Sequence, residues 1–368
     1  MIRALARRRL LLGLAVILAV ALVAGTDGFV LKHFGAHAAA DKGTDSYLNA
    51  IACPGTAQCW AVGQTAVARG GNTYSEIRSQ LIEQETAGVW RRVAAPGRHL
   101  PNLALTGIAC PGARDCWAVG GSSADGPAVI EHWTGGTWQV ASSPKLPGGQ
   151  LVSVSCASAS LCWAYGGQQT RRNKTSDVLE QWDGTSWRVV SALPGGLQPT
   201  LFACPAAGHC LILGLRGGAP AAASYDLGRW AQAALPGSVQ GSRLPNALAC
   251  ANATSCLALL AGRHGAVTEE WNGRSWSGPA ASLPSYAAGL ACSGAHGCWL
   301  LGASSSLRPL VLRWQDGGWV RVPAGGAELG YLGGLACGSS CWAVGGRTTT
   351  LGDGSSYSRP LIAAVAGS

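Results

Sequence analysis

Fourteen cysteines are the residues most able to do chemistry in this 368-residue chain, and their spacing says which chemistry. They fall into seven pairs: Cys53/Cys59, Cys110/Cys116, Cys156/Cys162, Cys204/Cys210, Cys250/Cys256, Cys292/Cys298 and Cys337/Cys341. Six pairs read C-x5-C and the last reads C-x3-C. Zinc knuckles use C-x2-4-C gathered in fours, and thiol-redox sites use C-x2-C. A spacing of C-x5-C repeated down the chain matches neither and instead suits a disulfide across the two strands of a hairpin. Closing a ring of ~7 residues contributes about 2 kcal/mol through the unfolded state, and such bonds persist in exported proteins.

Other reactive types are present without a catalytic arrangement. The seven histidines (His33, His37, His99, His132, His209, His264, His296) show no H-E-x-x-H or H-x3-H spacing. No G-x-S-x-G elbow or Walker loop occurs, so no metal, no cofactor and no catalytic residue is assigned. Four acids, Glu83, Glu131, Glu180 and Glu269, stand at one repeat position. An acid recurring in that way is expected to pair with a polar group of the neighbouring unit, the alternative being to hold a ligand at each of four places around a ring.

Nearly all of these residues belong to a repeat. "LNAIACPGTAQCWAVG" (Leu48 to Gly63) returns as "LTGIACPGARDCWAVGG", "LVSVSCASASLCWAYGG", "LPNALACANATSCLALLAG", "LACSGAHGCWLLG" and "LGGLACGSSCWAVGG", with a degenerate "PTLFACPAAGHCLILG" in fourth place. A second element follows in most units, as in "VIEHWTGGTWQV" and "VLEQWDGTSWRVV". All 15 tryptophans sit in these two elements, which makes them packing anchors. Each unit reads as four strands: A (L-x-x-[IV]-[AS]-C), B (C-W-A-V-G), C ([LV]-[IVL]-E-x-W) and D (W-x-V). The A and B runs are apolar throughout, as for strands covered on both faces. Strand D carries Arg91, Arg92, Arg188 and Arg321, suiting an outer edge. Asp183-Gly184 and Asn272-Gly273 mark tight C/D turns.

Four antiparallel strands repeated seven times predict an all-β, seven-bladed β-propeller with one hairpin disulfide per blade, occupying residues 48–368. No unit holds a helical period. The seventh unit ends after strand C, so a strand at 27–33 ("DGFVLKH"), within the linker 26–47, is expected to supply its strand D, with Phe29 in the usual tryptophan position.

The leader speaks to compartment. Met1 to Arg9 is basic and Leu10 to Gly25 is apolar, the two regions of a signal peptide or signal anchor spanning 1–25. The apolar run is short of the about 20 residues that span a bilayer, and cleavage after Gly25 is expected in preference to Ala38. The protein is therefore expected to be secreted, or anchored on the outer side of the cytoplasmic membrane, touching membrane only through that segment. The net charge is +9, of which four positive charges lie in the leader. The remainder forms no basic stripe, so nucleic acid is not an expected partner. With 48% apolar and 12% charged residues, the body is globular rather than disordered.

The text "IACPGTAQCWAVG … LIEQ … GVW" resembles exported bacterial repeat proteins with C-W-A-V-G motifs, over nearly all of the chain from Leu48. The resemblance implies a β-propeller and an exported location, and brings no catalytic residues. "WDGTSW" (Trp182 to Trp187) is distantly similar to the turn motif of sialidase-type propellers, where it is structural.

Non-repeated positions lie mainly in the B–C and D–A connections at one rim, where ligands meet such scaffolds. Three B–C connections are long and polar. Blade one offers Arg69, Asn72, Tyr74, Glu76 and Arg78, and blade three offers Arg171 and Arg172. Blade seven offers Arg347, Asp353, Tyr357 and Arg359. Because blades seven and one adjoin in a closed ring, their sets are expected to converge on one mouth. The expected function is a non-catalytic, monomeric recognition or scaffold module for a protein or glycan at the cell surface. The alternatives are a carbohydrate-active enzyme, a glycoside hydrolase or polysaccharide lyase with a rim active site, and a structural envelope protein.

Overall fold

The seven repeats form seven four-stranded antiparallel sheets, and the first strand of each packs on the first strand of the next until the seventh meets the first. The protein is a seven-bladed propeller. This computed structural model describes residues 32–33 and 44–365, apart from 56–57, 69–74, 97–101, 123–125, 145, 147–148, 170–174, 191–192, 237–243, 263–264, 284–285, 295–296, 304–308, 323–330 and 351–355.

Blade one comprises strands Thr44–Ala52, Gln58–Ala68, Ser75–Thr86 and Val89–Val93, taken here as A to D. Its strand A thus begins ahead of the Leu48 boundary expected for the ring. In blade seven, Tyr331–Cys337, Cys341–Thr350 and Ser356–Val365 supply A to C. The outer edge is taken by Lys32–His33, with Lys32 opposite Ala364 and His33 opposite Ala363. Residues 27–31, with Phe29, lie outside the described residues.

All seven cysteine pairs are disulfides, one per blade, joining the end of strand A to the start of strand B. They are Cys53–Cys59, Cys110–Cys116, Cys156–Cys162, Cys204–Cys210, Cys250–Cys256, Cys292–Cys298 and Cys337–Cys341. The two halves of each bond differ in exposure. On strand B, Cys59, Cys116, Cys162, Cys210, Cys256, Cys298 and Cys341 are all buried, none more than 6% exposed. Their strand A partners are only half-buried. The strand B sulfurs are therefore part of the seam between blades, where they serve as staples.

The tryptophan after the second cysteine then fills the seam to the next blade. Trp60 lies 4.7 Å from Trp133 and 5.3 Å from Trp138. Trp117 meets Trp182 and Trp187 at the same two distances, and Trp342 meets Trp90 across the closure at 5.5 Å. Edge-to-face and tilted indoles are favoured by their quadrupoles, so each of these seams is held by a cluster of tryptophans.

Strand A departs from its expected burial. Continuous cover on both faces holds for strand B, where Trp60, Ala61 and Val62 are all buried. Strand A instead lines the central channel and leaves Val152 42% and Leu244 55% exposed. Each strand A also carries a bulge part-way along: the register skips Asn49, Thr106, Val152, Thr200, Asn246, Ala288 and Gly333. Two of these reach the next blade, Asn49 Nδ2 donating to Leu105 O at 2.8 Å and Thr106 Oγ1 to Leu151 O at 2.7 Å.

Candidate functional site

The B–C hairpins of blades one and seven have long strands and carry most of the non-repeated polar residues to the rim. In blade seven Arg347 lies directly opposite Arg359, and Thr349 opposite Tyr357. The Arg359 guanidinium sits over the Tyr357 ring, 5.1 Å from its centroid. Both arginines are exposed. Side chains alternate along a strand, so Arg347, Tyr357 and Arg359 share the face that carries Ala343 and Ala363, and that face packs on blade six.

Within blade seven, the expected mouth residues Arg347, Tyr357 and Arg359 thus stand on the face turned to blade six. The blade-seven side chains that take the blade-one face are Thr348 and Ser358. Asp45 Oδ1 of blade one accepts the Ser358 backbone N–H, and Thr348 Oγ1 lies 3.3 Å from Ser358 Oγ. On the blade-one side, Thr65 and Ser79 hydroxyls are 2.7 Å apart. This seam is polar and serves ring closure. Glu76 and Arg78 fall on strand Ser75–Thr86, with Glu76 opposite Val67. Arg69, Asn72, Tyr74, Arg171, Arg172 and Asp353 lie outside the described residues.

The recurring acids sit far from any rim. Glu83 is 2% exposed, and Glu131, Glu180 and Glu269 are each fully buried. Glu131 accepts the Gln80 Nε2 amide of blade one, the kind of pairing expected for all four. Glu180 departs from it: neither oxygen has a hydrogen-bond partner among the described residues. Burial pushes the Glu180 carboxyl up to about 7. Glu83 is likewise pushed up to about 7 by burial, against the opposing pull of Arg92. Carboxyls poised near neutrality suit general acid catalysis, but these are sealed between blades where no substrate reaches them.

Two further polar features are local. Asp183 in the blade-three C/D turn accepts from Thr185 Oγ1 at 2.6 Å and from the Thr185 and Ser186 backbone N–H groups at 2.9 Å. Those bonds hold it down to about 2, and its work is to fix the turn. Tyr165 donates to Asp177 Oδ1 at 3.1 Å. Its phenol is pushed up to about 12, first by burial and then by that carboxylate. At the opposite end of the ring, a hollow of about 610 Å³ lies between the hairpin tips Cys53–Gly55 and Cys110–Ala113. Among the described residues no cluster of His, Cys, Asp and Glu has the arrangement of a metal site.

The chain matches no established protein family and no curated protein. Its fold is similar to solved propellers of diverse roles. YCF48 bound to D1 peptide superposes with a TM-score of 0.54 at 13% identity, covering 94% of this chain and 99% of that one. U3-55K superposes at 0.55 and 11% identity, covering 91% and 98%. A Mycobacterium tuberculosis puromycin-hydrolyzing peptidase superposes at 0.54 and 13% identity, covering 84% of this chain and 53% of that one. The likeness establishes the propeller; because a peptide-bound protein and an enzyme share it, the function must be argued from the residues.

Proposed function

We propose that this protein is an exported, disulfide-stapled propeller that recognises a protein or glycan at the cell surface without chemistry of its own, and that the Arg347–Arg359 hairpin takes part in the contact. The observation that carries the reading is the pair itself. Like charges directly opposite in a ladder repel and destabilise it, and an exposed hairpin gains nothing from them unless an acidic group lies between. Tyr357 beside them adds the flat amphipathic surface that binding sites favour. The ligand is therefore one that presents a carboxylate, either an acidic side chain or an acidic sugar. YCF48 holding a peptide on the same scaffold supports a binding role. Seven disulfides support export, as does the leader.

The test is an array of glycans and acidic peptides probed with oxidised protein, with a reducing-sugar assay on polysaccharides alongside. Retention of an acidic ligand is expected, weakened about tenfold, or by about 1.4 kcal/mol, in an R347S/R359S double variant. Release of reducing sugar, or equal retention by the variant, would overturn the reading.

A further inference from the structure

Blade four lacks the tryptophan that plugs five of the seven seams, and the seam it leaves holds a cleft. Trp60, Trp117, Trp163 and Trp342 each insert an indole against aromatic rings of the following blade; Trp163, for example, meets Tyr225 at 5.6 Å and Trp230 at 5.3 Å. Leucine follows the second cysteine in two blades, as Leu257 in blade five and as Leu211 in blade four. Blade four comprises Gln198–Ala206, His209–Arg216, Ala219–Asp226 and Arg229–Ala233, and its Leu211 faces Trp271 and Trp276 of blade five. A cavity of about 440 Å³ opens here, at the A–B hairpin end of the ring, opposite to the B–C hairpins.

Its walls are chemically graded. Leu211 and Trp271 are buried and form the floor, and the Trp271 Nε1–H is fixed by donation to Ala253 O at 3.2 Å. Ser224, on the blade-five face of its strand, stands at the side. The mouth is polar: His209 Nδ1 lies 3.1 Å from Asp226 Oδ1, with both side chains open to solvent, and Arg274 comes from the C/D turn of blade five. That turn is rigid, since Asn272 Oδ1 accepts the Arg274 and Ser275 backbone N–H groups at 3.0 and 2.9 Å.

We propose that this cleft binds one pyranose ring of a glycan, seated where five other seams hold an indole. A sugar ring presents C–H groups on one face and hydroxyls around its edge. The face suits an aromatic and aliphatic floor, and the edge needs acceptors and donors side by side. Asp226 accepts, Arg274 donates, and both make charge-assisted bonds stronger than neutral ones. An aromatic side chain would leave those charged groups unused, and a simple anion would meet the Asp226 carboxylate. A neutral, multiply hydroxylated ring uses both. The site is separate from the rim hairpin and does not depend on it.

The test titrates the full oxidised protein with methyl pyranosides, namely neutral hexosides, a 6-deoxyhexoside and an N-acetylhexosaminide, followed by tryptophan fluorescence and calorimetry. Saturable binding of at least one is expected. It should weaken about tenfold or more in D226N, and in L211W, which restores the plug found in those five seams. Binding should persist in R347S/R359S, so that failure at the rim and failure here are told apart. D226N sits at the exposed mouth and keeps the test open should L211W not fold. Absence of binding by every pyranoside, or equal binding by wild type and both variants, would overturn the assignment.

Discussion

Glu180 and Glu131 occupy one repeat position and meet different fates, because the partner comes from the preceding blade and not from their own repeat. Gln80 of blade one supplies the amide to Glu131. The equivalent of Gln80 before Glu180 is Ala128, and before Glu83 it is Pro360, neither of which can donate from a side chain. The recurrence of the acid was visible in the repeat, but its pairing depends on positions where the repeats differ. Stability acquires a pH dependence as a result. Both carboxyls bind a proton more tightly in the fold, at about 7, than at the ordinary 4.5. Their favourable contribution is therefore complete below about 4.5, declines as pH rises through about 7, and is gone above it. Discounted for water reaching the site, each is worth about 2 kcal/mol. Melting curves of wild type and E180Q between pH 4.5 and 8 test this: the neutral amide should flatten part of the decline and melt higher than wild type at pH 8. Parallel curves would count against it.

At the scale of the strand, the glycine of C-W-A-V-G has a cause that the repeat text alone did not supply. A Cβ on Gly63, Gly120, Gly166 or Gly214 would lie 1.9 Å from a strand A carbonyl, that of Tyr47, Ala104, Gln150 or Gln198 respectively. The strand A bulge lies just beyond the contact and bends that strand across strand B. The strands themselves were legible because apolar runs, cysteine spacing and turn pairs recur in register. The bulge was not, since its extra residue is Asn, Thr, Val, Thr, Asn, Ala or Gly, types that share no chemistry. Nor was the open face of strand A, because an apolar channel lining and a buried strand read alike in composition. Blade five has Leu260 in the glycine position, fully buried, so one blade has adjusted to a side chain there. G120A, without that adjustment, is expected to lose about 1–3 kcal/mol through overpacking. Denaturant unfolding should show a lower midpoint with unchanged slope, and an unchanged midpoint would refute the close approach.

Over the whole ring, seven periods, the last of them incomplete, were enough to read the architecture, while the rim could not be assembled from chain order. Adjacency of blades seven and one was correct as topology, yet the odd-numbered side chains of the blade-seven hairpin face blade six. Only the register, unbroken from Cys341 to Thr350, decides that parity. The closure itself depends on groups distant in sequence. Asp45 holds the Ser358 N–H, and Gly333 lies so close to Leu48 O that a Cβ would stand 2.2 Å away. Outside them, Lys32–His33 covers the edge of Ser356–Val365, whose inner part reads Leu361-Ile362-Ala363-Ala364-Val365. Without that cover the seventh sheet would end on an apolar strand with open backbone groups, a template for pairing with another chain. A chain beginning at Phe34 is thus expected to melt several degrees below one beginning at Thr26 and to run partly as oligomers in size-exclusion chromatography. Equal melting temperatures and a single monomer peak for both would show that the ring closes without the N-terminal strand.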